Sequence, residues 1–399
     1  MTSKLGVRRR LIVGALALPL MFAACGGGKP KANPLPTTPT TTHSAGSPTT
    51  STTTSATSSS TTVPSTTVPQ GFEAASVTFV SPKMGWVLGT TCAGTSCSAS
   101  FFRTADAGKS WTSIPAPPIL SDVPGDGGEV RFANADDGWV VARAGTAPNS
   151  EVWATFDGGS SWHAVTFPAP LVNETISDLE AANGEVYASF CGDPIHIAVS
   201  PVNVSAWKVS TTSLQIGAGP VCGEQMVLQG TNGWLINVDR TVINGARLDN
   251  GSWVPWSPPC QSSGGPGELA ASDPDHLVAV CDGGAYGGTA ATLIFLSSDG
   301  GSTFVPTAHS LPQDDYGPCA SPSPGVIIIS SSGQGGLMAS FDGGDRWSSV
   351  YNPPNSQGWQ YVGFTTPTQG VAIESSGTLV MTLDGGHDWA PVKFPTTSS

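Results

Sequence analysis

Short apolar runs alternate with polar residues along most of the chain, and they recur in pairs. Each pair is joined by a short polar turn, usually with glycine just before the second run. Alternation with a period of two indicates half-buried strands, and a short turn between two such strands indicates a β-hairpin. The clearest copies are VTFVSPKMGWVLGT from Val77, VRFANADDGWVVAR from Val130, MVLQGTNGWLINVD from Met226 and VGFTTPTQGVAIES from Val362, and the weaker ones are ISDLEAANGEVYASF, ELAASDPDHLVAVC and GPCASPSPGVIIIS.

A second repeated phrase follows these hairpins. A Ser or Thr stands two residues before an Asp, two small residues follow, and an aromatic residue lies five positions after the Asp. The Asp accepts backbone hydrogen bonds in a tight turn, glycine supplies positive φ, and the aromatic ring fills the gap between adjacent sheets. The copies are TADAGKSWTSI from Thr104, TFDGGSSWHAV from Thr155, SSDGGSTFVPT from Ser297, SFDGGDRWSSV from Ser340 and TLDGGHDWAPV from Thr382.

The spacing of the repeat predicts seven units. Consecutive aspartates are 51, 142, 43 and 42 residues apart, so the long interval has room for two degenerate copies. One is SPVNVSAW from Ser200, in which Val202 replaces the Asp. The other is LDNGSW from Leu248, built on Asn250 and Gly251, the favoured pair of a type I′ hairpin turn. The sequence therefore predicts seven consecutive four-stranded meanders.

The motif Ser/Thr-x-Asp-x-Gly-x-x-Trp resembles the Asp-box, or bacterial neuraminidase repeat, of β-propellers. Together with the upstream hairpin phrase, it makes the chain most similar to the photosystem II stability and assembly factor-like propellers. The resemblance implies an all-β, seven-bladed propeller of four-stranded antiparallel blades over residues 71–397, used as a binding or assembly scaffold without catalysis. The repeat aspartates are then turn residues, namely Asp106, Asp157, Asp299, Asp342 and Asp384.

The first 70 residues predict export. Three arginines at 8–10 precede the apolar run LIVGALALPLMFAA and Cys25, which is typical of a lipoprotein signal peptide over residues 1–24 with lipidation at Cys25. Phe22 departs from the usual Leu of the processing site, so ordinary secretion and a retained membrane anchor stay open. Residues 25–70 form a linker rich in Thr, Ser and Pro, which cannot bury a core.

The chain is acidic, with a formal net charge of −13. Loss of residues 1–24 would leave 12 basic against 29 acidic residues. Such a surface repels nucleic acid and anionic lipid head groups, so a lipid would have to hold the protein at the membrane. We expect cationic or neutral partners and an extracytoplasmic location, either lipid-anchored on the outer face of the cell membrane or secreted.

Seven cysteines remain if Cys25 is lipidated, and an exported chain can oxidise them. Cys92 and Cys97 flank a four-residue loop between the second and third strands of blade 1, which predicts a disulfide within that hairpin.

The propeller geometry predicts two further disulfides. The loop after a blade's second strand and the connector into a blade's first strand lie on the same face. This arrangement favours Cys191 with Cys222 and Cys260 with Cys281. Cys319 is left over on an inner strand, where we expect a buried, small apolar residue.

Enzymatic readings have less support. A sialidase-like site would need three arginines around a carboxylate, a Tyr nucleophile paired with Glu, and an acid/base Asp, and the sequence shows no such arrangement. The histidines are scattered singly, without His-x-x-x-His or Cys-x-x-Cys, and no nucleotide-binding fingerprint appears. We therefore expect no metal and no cofactor. A glycoside hydrolase and a non-hydrolytic carbohydrate-binding propeller remain as alternatives.

Binding is expected on the face opposite the aspartate turns, where the longer loops and the connectors between blades lie. Aromatic residues among flexible glycines there would suit an envelope or extracellular protein partner, or a glycan. Packing between blades is the competing explanation for each aromatic residue, and an ion pair with a nearby acid is the competing explanation for the one arginine. The candidates are Arg131, Trp256, Tyr286, Tyr316, Trp359 and Tyr361.

Overall fold

A computed structural model of the protein describes residues 71–93, 96–117, 128–142, 151–192, 194–210, 222–239, 241–262, 266–286, 289–309, 311, 317–330 and 335–394. Within these ranges the regular structure is β-strand, apart from two short 3-10 turns at Leu171–Asn173 and Pro259–Ser262. The predicted signal peptide, Cys25 and the linker lie outside the described residues. No helix in the described ranges is long and apolar enough to cross a membrane.

The strands form seven separate four-stranded sheets, and in each sheet the strands follow chain order and pair antiparallel. Blade 1 comprises β1 (Phe72–Phe79), β2 (Gly85–Ala93), β3 (Ser96–Thr104) and β4 (Thr112–Ile114), and blade 2 comprises β5 (Glu129–Phe132), β6 (Gly138–Ala142), β7 (Glu151–Thr155) and β8 (His163–Ala164). Blade 3 comprises β9 (Ile176–Ala182), β10 (Glu185–Phe190), β11 (His196–Pro201) and β12 (Lys208–Val209). Blade 4 comprises β13 (Glu224–Gln229), β14 (Asn232–Asp239), β15 (Thr241–Asp249) and β16 (Ser252–Trp256). Blade 5 comprises β17 (Gly267–Ala271), β18 (Leu277–Tyr286), β19 (Thr289–Ser297) and β20 (Val305–Pro306). Blade 6 comprises β21 (Cys319–Ala320), β22 (Ile327–Ser330), β23 (Leu337–Ser340) and β24 (Ser348–Tyr351). Blade 7 comprises β25 (Trp359–Phe364), β26 (Gly370–Glu374), β27 (Leu379–Thr382) and β28 (Ala390–Pro391).

The first strands of successive blades lie side by side around a central channel, from β1 to β25. Blade 7 then meets blade 1, where the Ala74 amide donates to the Gly377 carbonyl at 3.0 Å and Gln369 Nε2 donates to the Pro82 carbonyl at 3.0 Å. The seven-bladed, all-β fold expected from the repeat is confirmed.

The hydrophobic core is divided into seven clusters, and each cluster lies between two neighbouring blades. The aromatic residue of each repeat packs against the preceding blade. The ring of Trp162 in blade 2, for example, lies 5.5 Å from that of Phe101 in blade 1 at a tilted angle, and its indole N–H donates to the Pro115 carbonyl at 2.8 Å. Blades are therefore held to one another by the same side chains that follow the repeated turns.

The repeated phrase forms a turn with a fixed hydrogen-bond pattern, which we call the aspartate turn. In blade 2, Asp157 Oδ1 accepts from Thr155 Oγ1 and from the Ser161 amide, both at 2.8 Å, and Thr155 Oγ1 accepts from the Gly159 amide at 2.9 Å. The same Ser/Thr-to-Asp bond recurs in the other four copies. The aspartate turns span Thr104–Trp111, Thr155–Trp162, Ser297–Phe304, Ser340–Trp347 and Thr382–Trp389.

Each aspartate turn is hydrogen-bonded to the first hairpin of its own blade. The Gly158 amide donates to the Asp136 carbonyl at 2.9 Å, and the Gly300 amide donates to the Asp275 carbonyl at 2.9 Å. Both kinds of turn therefore lie at one end of the propeller, which we call the aspartate-turn end.

The two degenerate copies form different turns. In blade 4, Asn250 and Gly251 have φ of 49° and 78°, as a type I′ turn requires at both central positions. In blade 3, Ser200 Oγ accepts from the Ala206 amide at 2.9 Å and donates to the Val204 carbonyl at 2.8 Å. The loss of the repeat Asp thus leaves the hairpin in place but changes its shape.

All three predicted disulfides are present. Cys92–Cys97 closes the β2–β3 hairpin, Cys191–Cys222 joins blade 3 to blade 4, and Cys260–Cys281 joins blade 4 to blade 5. Cys319 on β21 is in none of them and is 3% exposed, as expected for an inner strand.

A pair of glycine variants would measure the contact between an aspartate turn and the preceding blade. Gly344 has φ of +90°, and a methyl group added there would lie 2.7 Å from Thr307 Cγ2 and 2.9 Å from Thr307 Cβ. Gly251 has φ of +78° and would meet nothing within 4 Å. Alanine at either site incurs the left-handed backbone cost, but only Gly344→Ala adds the steric overlap, of about 1–3 kcal/mol. We expect thermal unfolding to show a clearly lower midpoint for Gly344→Ala, and equal midpoints would contradict this.

The aspartate turns also predict acid sensitivity. Hydrogen bonds from Thr303, foremost from its hydroxyl, lower the pKa of Asp299 to about 2. A carboxyl whose pKa is lower in the folded state stabilises the fold above its unfolded pKa, and this contribution is lost as pH falls through the folded pKa. We expect the unfolding midpoint to drop between about pH 4 and about pH 2, and to drop less steeply in Asp299→Asn. An identical pH profile in the variant would contradict the assignment.

Candidate functional site

Two of the aromatic candidates are buried. Trp359 and Tyr361 on β25 are each 1% exposed. The Trp359 indole donates to the Gly335 carbonyl at 3.0 Å, and its ring lies 5.9 Å from Tyr351. Tyr361 belongs to the apolar cluster between blades 7 and 1. Both side chains pack between blades.

The structure describes the side chain of one further aromatic candidate, Trp256. Trp256 is half-buried between blades 4 and 5, where its ring lies 6.1 Å from Phe304 and its indole donates to the Gly301 carbonyl at 2.8 Å. Tyr286 is the last residue of β18, and Tyr316 lies outside the described residues. The loops opposite the aspartate turns are largely outside the described ranges as well, so binding at that face stays a prediction.

Arg131 is buried in the wall of the channel and is ion-paired. Its guanidinium contacts a Glu180 carboxylate oxygen at 2.5 Å and a Glu129 carboxylate oxygen at 3.6 Å, and its Nε donates to the Leu179 carbonyl at 3.4 Å. Burial raises the pKa of Glu180 well above its ordinary value. Burial would lower the pKa of Arg131, but the two carboxylates outweigh it, so the pKa is raised and the guanidinium stays charged. Arg131 therefore links blade 2 to blade 3.

Other polar side chains of the inner strands also link neighbouring blades. Each accepts a hydrogen bond from a backbone amide on the first strand of the next blade, at distances between 2.7 and 3.2 Å. The pairs are Ser76 with Val130, Asp178 with Met226, Gln225 with Leu269 and Glu268 with Cys319. These four polar side chains thus have structural partners, as interior polar groups generally do.

Two cavities open at the aspartate-turn end. A cavity of about 200 Å³ lies at the channel mouth among blades 4 to 7, where small residues such as Ala270, Cys319 and Gly363 line it. A larger cavity of about 460 Å³ crosses the first hairpins of blades 1, 2 and 3, and we call it the blade 1–3 groove. Its apolar lining comprises Val80, Met84, Ala133, Ala181, Ala182 and Val202, with Ser81, Asn134, Ala135, Asn183 and Gly184 at its edges.

Within the groove, blade 3 differs from blades 1 and 2 at two places. Its first hairpin turns in two residues, since Ala182 pairs with Glu185, whereas the pair Phe79 and Gly85 leaves a five-residue turn in blade 1. The shorter turn leaves a notch beside blades 1 and 2. Val202 then places an apolar side chain at the position where the five aspartate turns carry Asp.

Two polar side chains at the edge of the groove, Ser81 and Asn134, are hydrogen-bonded within their own turns. Ser81 Oγ accepts from the Met84 amide at 3.1 Å, and Asn134 Oδ1 accepts from the amides of Asp136 and Asp137 at 2.8 and 2.9 Å. Asn134 Nδ2 donates to Asp137 Oδ2 at 2.7 Å. No aromatic ring is among the described lining residues. The groove therefore suits aliphatic side chains better than a sugar, which needs polar partners or a ring to stack on.

In the sequence, Val202 is recognisable only as a degenerate position of the repeat, which does not predict a groove. The available signal was the coincidence, in one unit, of a missing Asp with the shortened hairpin AANGEV. That coincidence becomes a surface only when three blades are placed side by side.

The Arg131 cluster predicts a specific order of stability. The substitution Arg131→Met removes the cation and leaves the buried carboxylates near it without a positive partner, which typically lowers the free energy of unfolding by about 3–5 kcal/mol. Glu180→Gln keeps an oxygen acceptor for the guanidinium, and the carboxylate of Glu129 still lies 3.6 Å from it. We expect a much lower thermal midpoint for Arg131→Met than for Glu180→Gln. The reverse order would show that the pair does not join the two blades.

No protein-family model matches the chain, and no curated protein sequence matches it. Solved structures do resemble it. YCF48 bound to D1 peptide has a TM-score of 0.57 at 19% identity, covering 79% of this chain and 95% of that one. YCF48 from Cyanidioschyzon merolae has a TM-score of 0.55 at 14% identity, covering 80% and 97%. A catalytically inactive virginiamycin B lyase from Staphylococcus aureus, with quinupristin, has a TM-score of 0.53 at 12% identity, covering 79% and 96%. At these identities the likeness concerns the fold, and the fold of this chain is that of a seven-bladed β-propeller.

Proposed function

We propose that this protein is a non-catalytic propeller scaffold that binds a segment of a partner protein at the cell envelope. The observation that carries the proposal is the blade 1–3 groove, an open and mostly apolar cavity in which the side chains of Ser81 and Asn134 are already hydrogen-bonded. Such a surface recognises aliphatic side chains through burial rather than through hydrogen bonds.

The structural likeness supports a peptide as ligand. YCF48, which shares the fold at 19% identity, has been solved with a bound D1 peptide. The aspartate turns, with their repeated Ser/Thr-to-Asp hydrogen bonds, support placing the chain among Asp-box propellers, in which the same fold serves both binding proteins and glycosidases. Because a lyase shares the fold, the alternative to be tested is an enzymatic function.

We further propose that the propeller is extracytoplasmic and held by a lipid at Cys25. Three disulfides support an oxidising compartment. The N-terminal sequence supports lipoprotein processing, and the Thr, Ser and Pro linker would give the propeller distance from the membrane. Radiolabelled palmitate incorporated into the native chain but not into Cys25→Ser would support the anchor.

A matched pair of substitutions tests the groove. Val202→Asp puts a carboxylate in the apolar lining at the position where five other blades tolerate Asp, whereas Val204→Asp changes an exposed residue of the same turn outside the lining. A photo-crosslinking amino acid at exposed Ala135, on the groove edge, would be introduced into the full chain and into both variants.

We expect one partner peptide to crosslink to the parent and to Val204→Asp, and at least tenfold less to Val202→Asp. A tenfold loss corresponds to about 1.4 kcal/mol, which is less than the usual cost of burying an unpaired polar group. Equal crosslinking in all three, or binding on a glycan array together with turnover of sialosides or other glycosides, would contradict the proposal.

A further inference from the structure

Five of the seven interfaces between blades are closed by a glycine of an aspartate turn that contacts the preceding blade. A methyl group added at each of these glycines would lie 2.7 to 3.3 Å from a side chain of that blade. They are Gly108, Gly159, Gly301, Gly344 and Gly386. Such short distances mean that the backbone of the turn is in close contact with the preceding blade.

The interface between blades 3 and 4 has no such contact. The turn of blade 4 has only two central residues, and a methyl group added at Gly251 would meet nothing within 4 Å. In blades 1 and 4 a tryptophan of the second strand also donates to the aspartate turn of the next blade, Trp86 to the Gly158 carbonyl at 3.1 Å and Trp234 to the Gly300 carbonyl at 3.0 Å, and blade 3 lacks this tryptophan. Val186 occupies the equivalent place at the start of β10.

This interface carries a covalent bond instead. Cys191 directly follows β10 of blade 3, Cys222 precedes β13 of blade 4, and their Cα atoms are 4.6 Å apart. Cys222 is exposed and Cys191 half-buried. The disulfide of the next interface differs, because Cys260 is 2% and Cys281 0% exposed. A reductant can therefore reach the first bond and not the second.

We propose that Cys191–Cys222 is a redox-sensitive fastener that replaces the aspartate turn at the blade 3–blade 4 interface, and that a dithiol reductant opens it by thiol–disulfide exchange. A thiolate of the reductant attacks Cys222 Sγ and displaces Cys191 as a thiolate. The second thiol of the reductant then attacks the mixed disulfide and releases Cys222. Two electrons pass to the protein, two cysteine thiols form, and the reductant leaves as a disulfide.

Opening the bond loosens the interface without unfolding the propeller. Apolar packing remains between the two blades, including Tyr187 against Trp253 at 6.1 Å, and Asp178 still accepts from the Met226 amide at 2.7 Å. The consequence is local, because each blade contacts mainly its neighbours. Blades 3 and 4 gain mobility, while blades 6 and 7 keep their aspartate-turn contacts.

The test is a graded dithiothreitol titration of the full chain, with alkylation of released thiols and backbone hydrogen exchange, both followed by mass spectrometry. We expect Cys191 and Cys222 to be alkylated at lower dithiothreitol than Cys260 and Cys281. At that point amide exchange should be at least tenfold faster in β9–β16 and unchanged in β21–β28. The same titration of Cys92→Ser/Cys97→Ser removes the other accessible disulfide, which lies within one blade, and should give the same exchange pattern.

Cys191→Ser/Cys222→Ser should show the fast exchange of β9–β16 without reductant, and the wild-type titration decides the question if this variant does not fold. Earlier reduction of Cys260–Cys281, exchange that rises evenly over all blades, or no change after Cys191 and Cys222 are alkylated would each overturn the proposal. The outcome is independent of whether the groove binds a partner.

Discussion

The structure depends on one repeated contact, the packing of the aromatic residue after each repeated turn against the preceding blade, to which five blades add a contact of the turn itself. As in other repeat proteins, a single unit cannot bury its own apolar face and needs its neighbours to do so. Seven apolar clusters, one at every interface, supply the missing core. The aspartate turn makes this possible, because its side-chain hydrogen bonds hold the glycine backbone in a shape that presses against the neighbouring blade.

The ring is closed everywhere, although the repeat is not intact everywhere. Where blade 3 has lost the repeat Asp, the buried pair of Arg131 and Glu180 joins it to blade 2. Where blade 4 has a shortened turn, the Cys191–Cys222 disulfide joins it to blade 3. Neighbouring interfaces therefore use an ion pair and a covalent bond in place of one backbone contact. Blade 3 also lines the groove, so its departures from the repeat change both how it is joined to its neighbours and which surface it presents.

Much of this could be predicted from the sequence, and for a physical reason. The aspartate turn is local: Thr155, Asp157 and Gly159 lie within five residues and hydrogen-bond to one another, so their identity predicts their structure. Repetition then predicts the number of blades. The disulfide pairs followed from the topology. The burial of Trp359 and Tyr361 between blades could not be predicted in this way, because their exposure depends on residues far along the chain.

The sequence by itself determined the all-β class, the seven units, the shape of the turns and the cysteines that pair, because each of these rests on contacts within a unit or on the order of units. The tertiary structure decided which side chains are buried, that Arg131 is neutralised by Glu180, and that three hairpins enclose a groove. The groove is formed by turns of three neighbouring blades. Val80, Ala133 and Val202 belong to three different blades, and only the ring places them against one another.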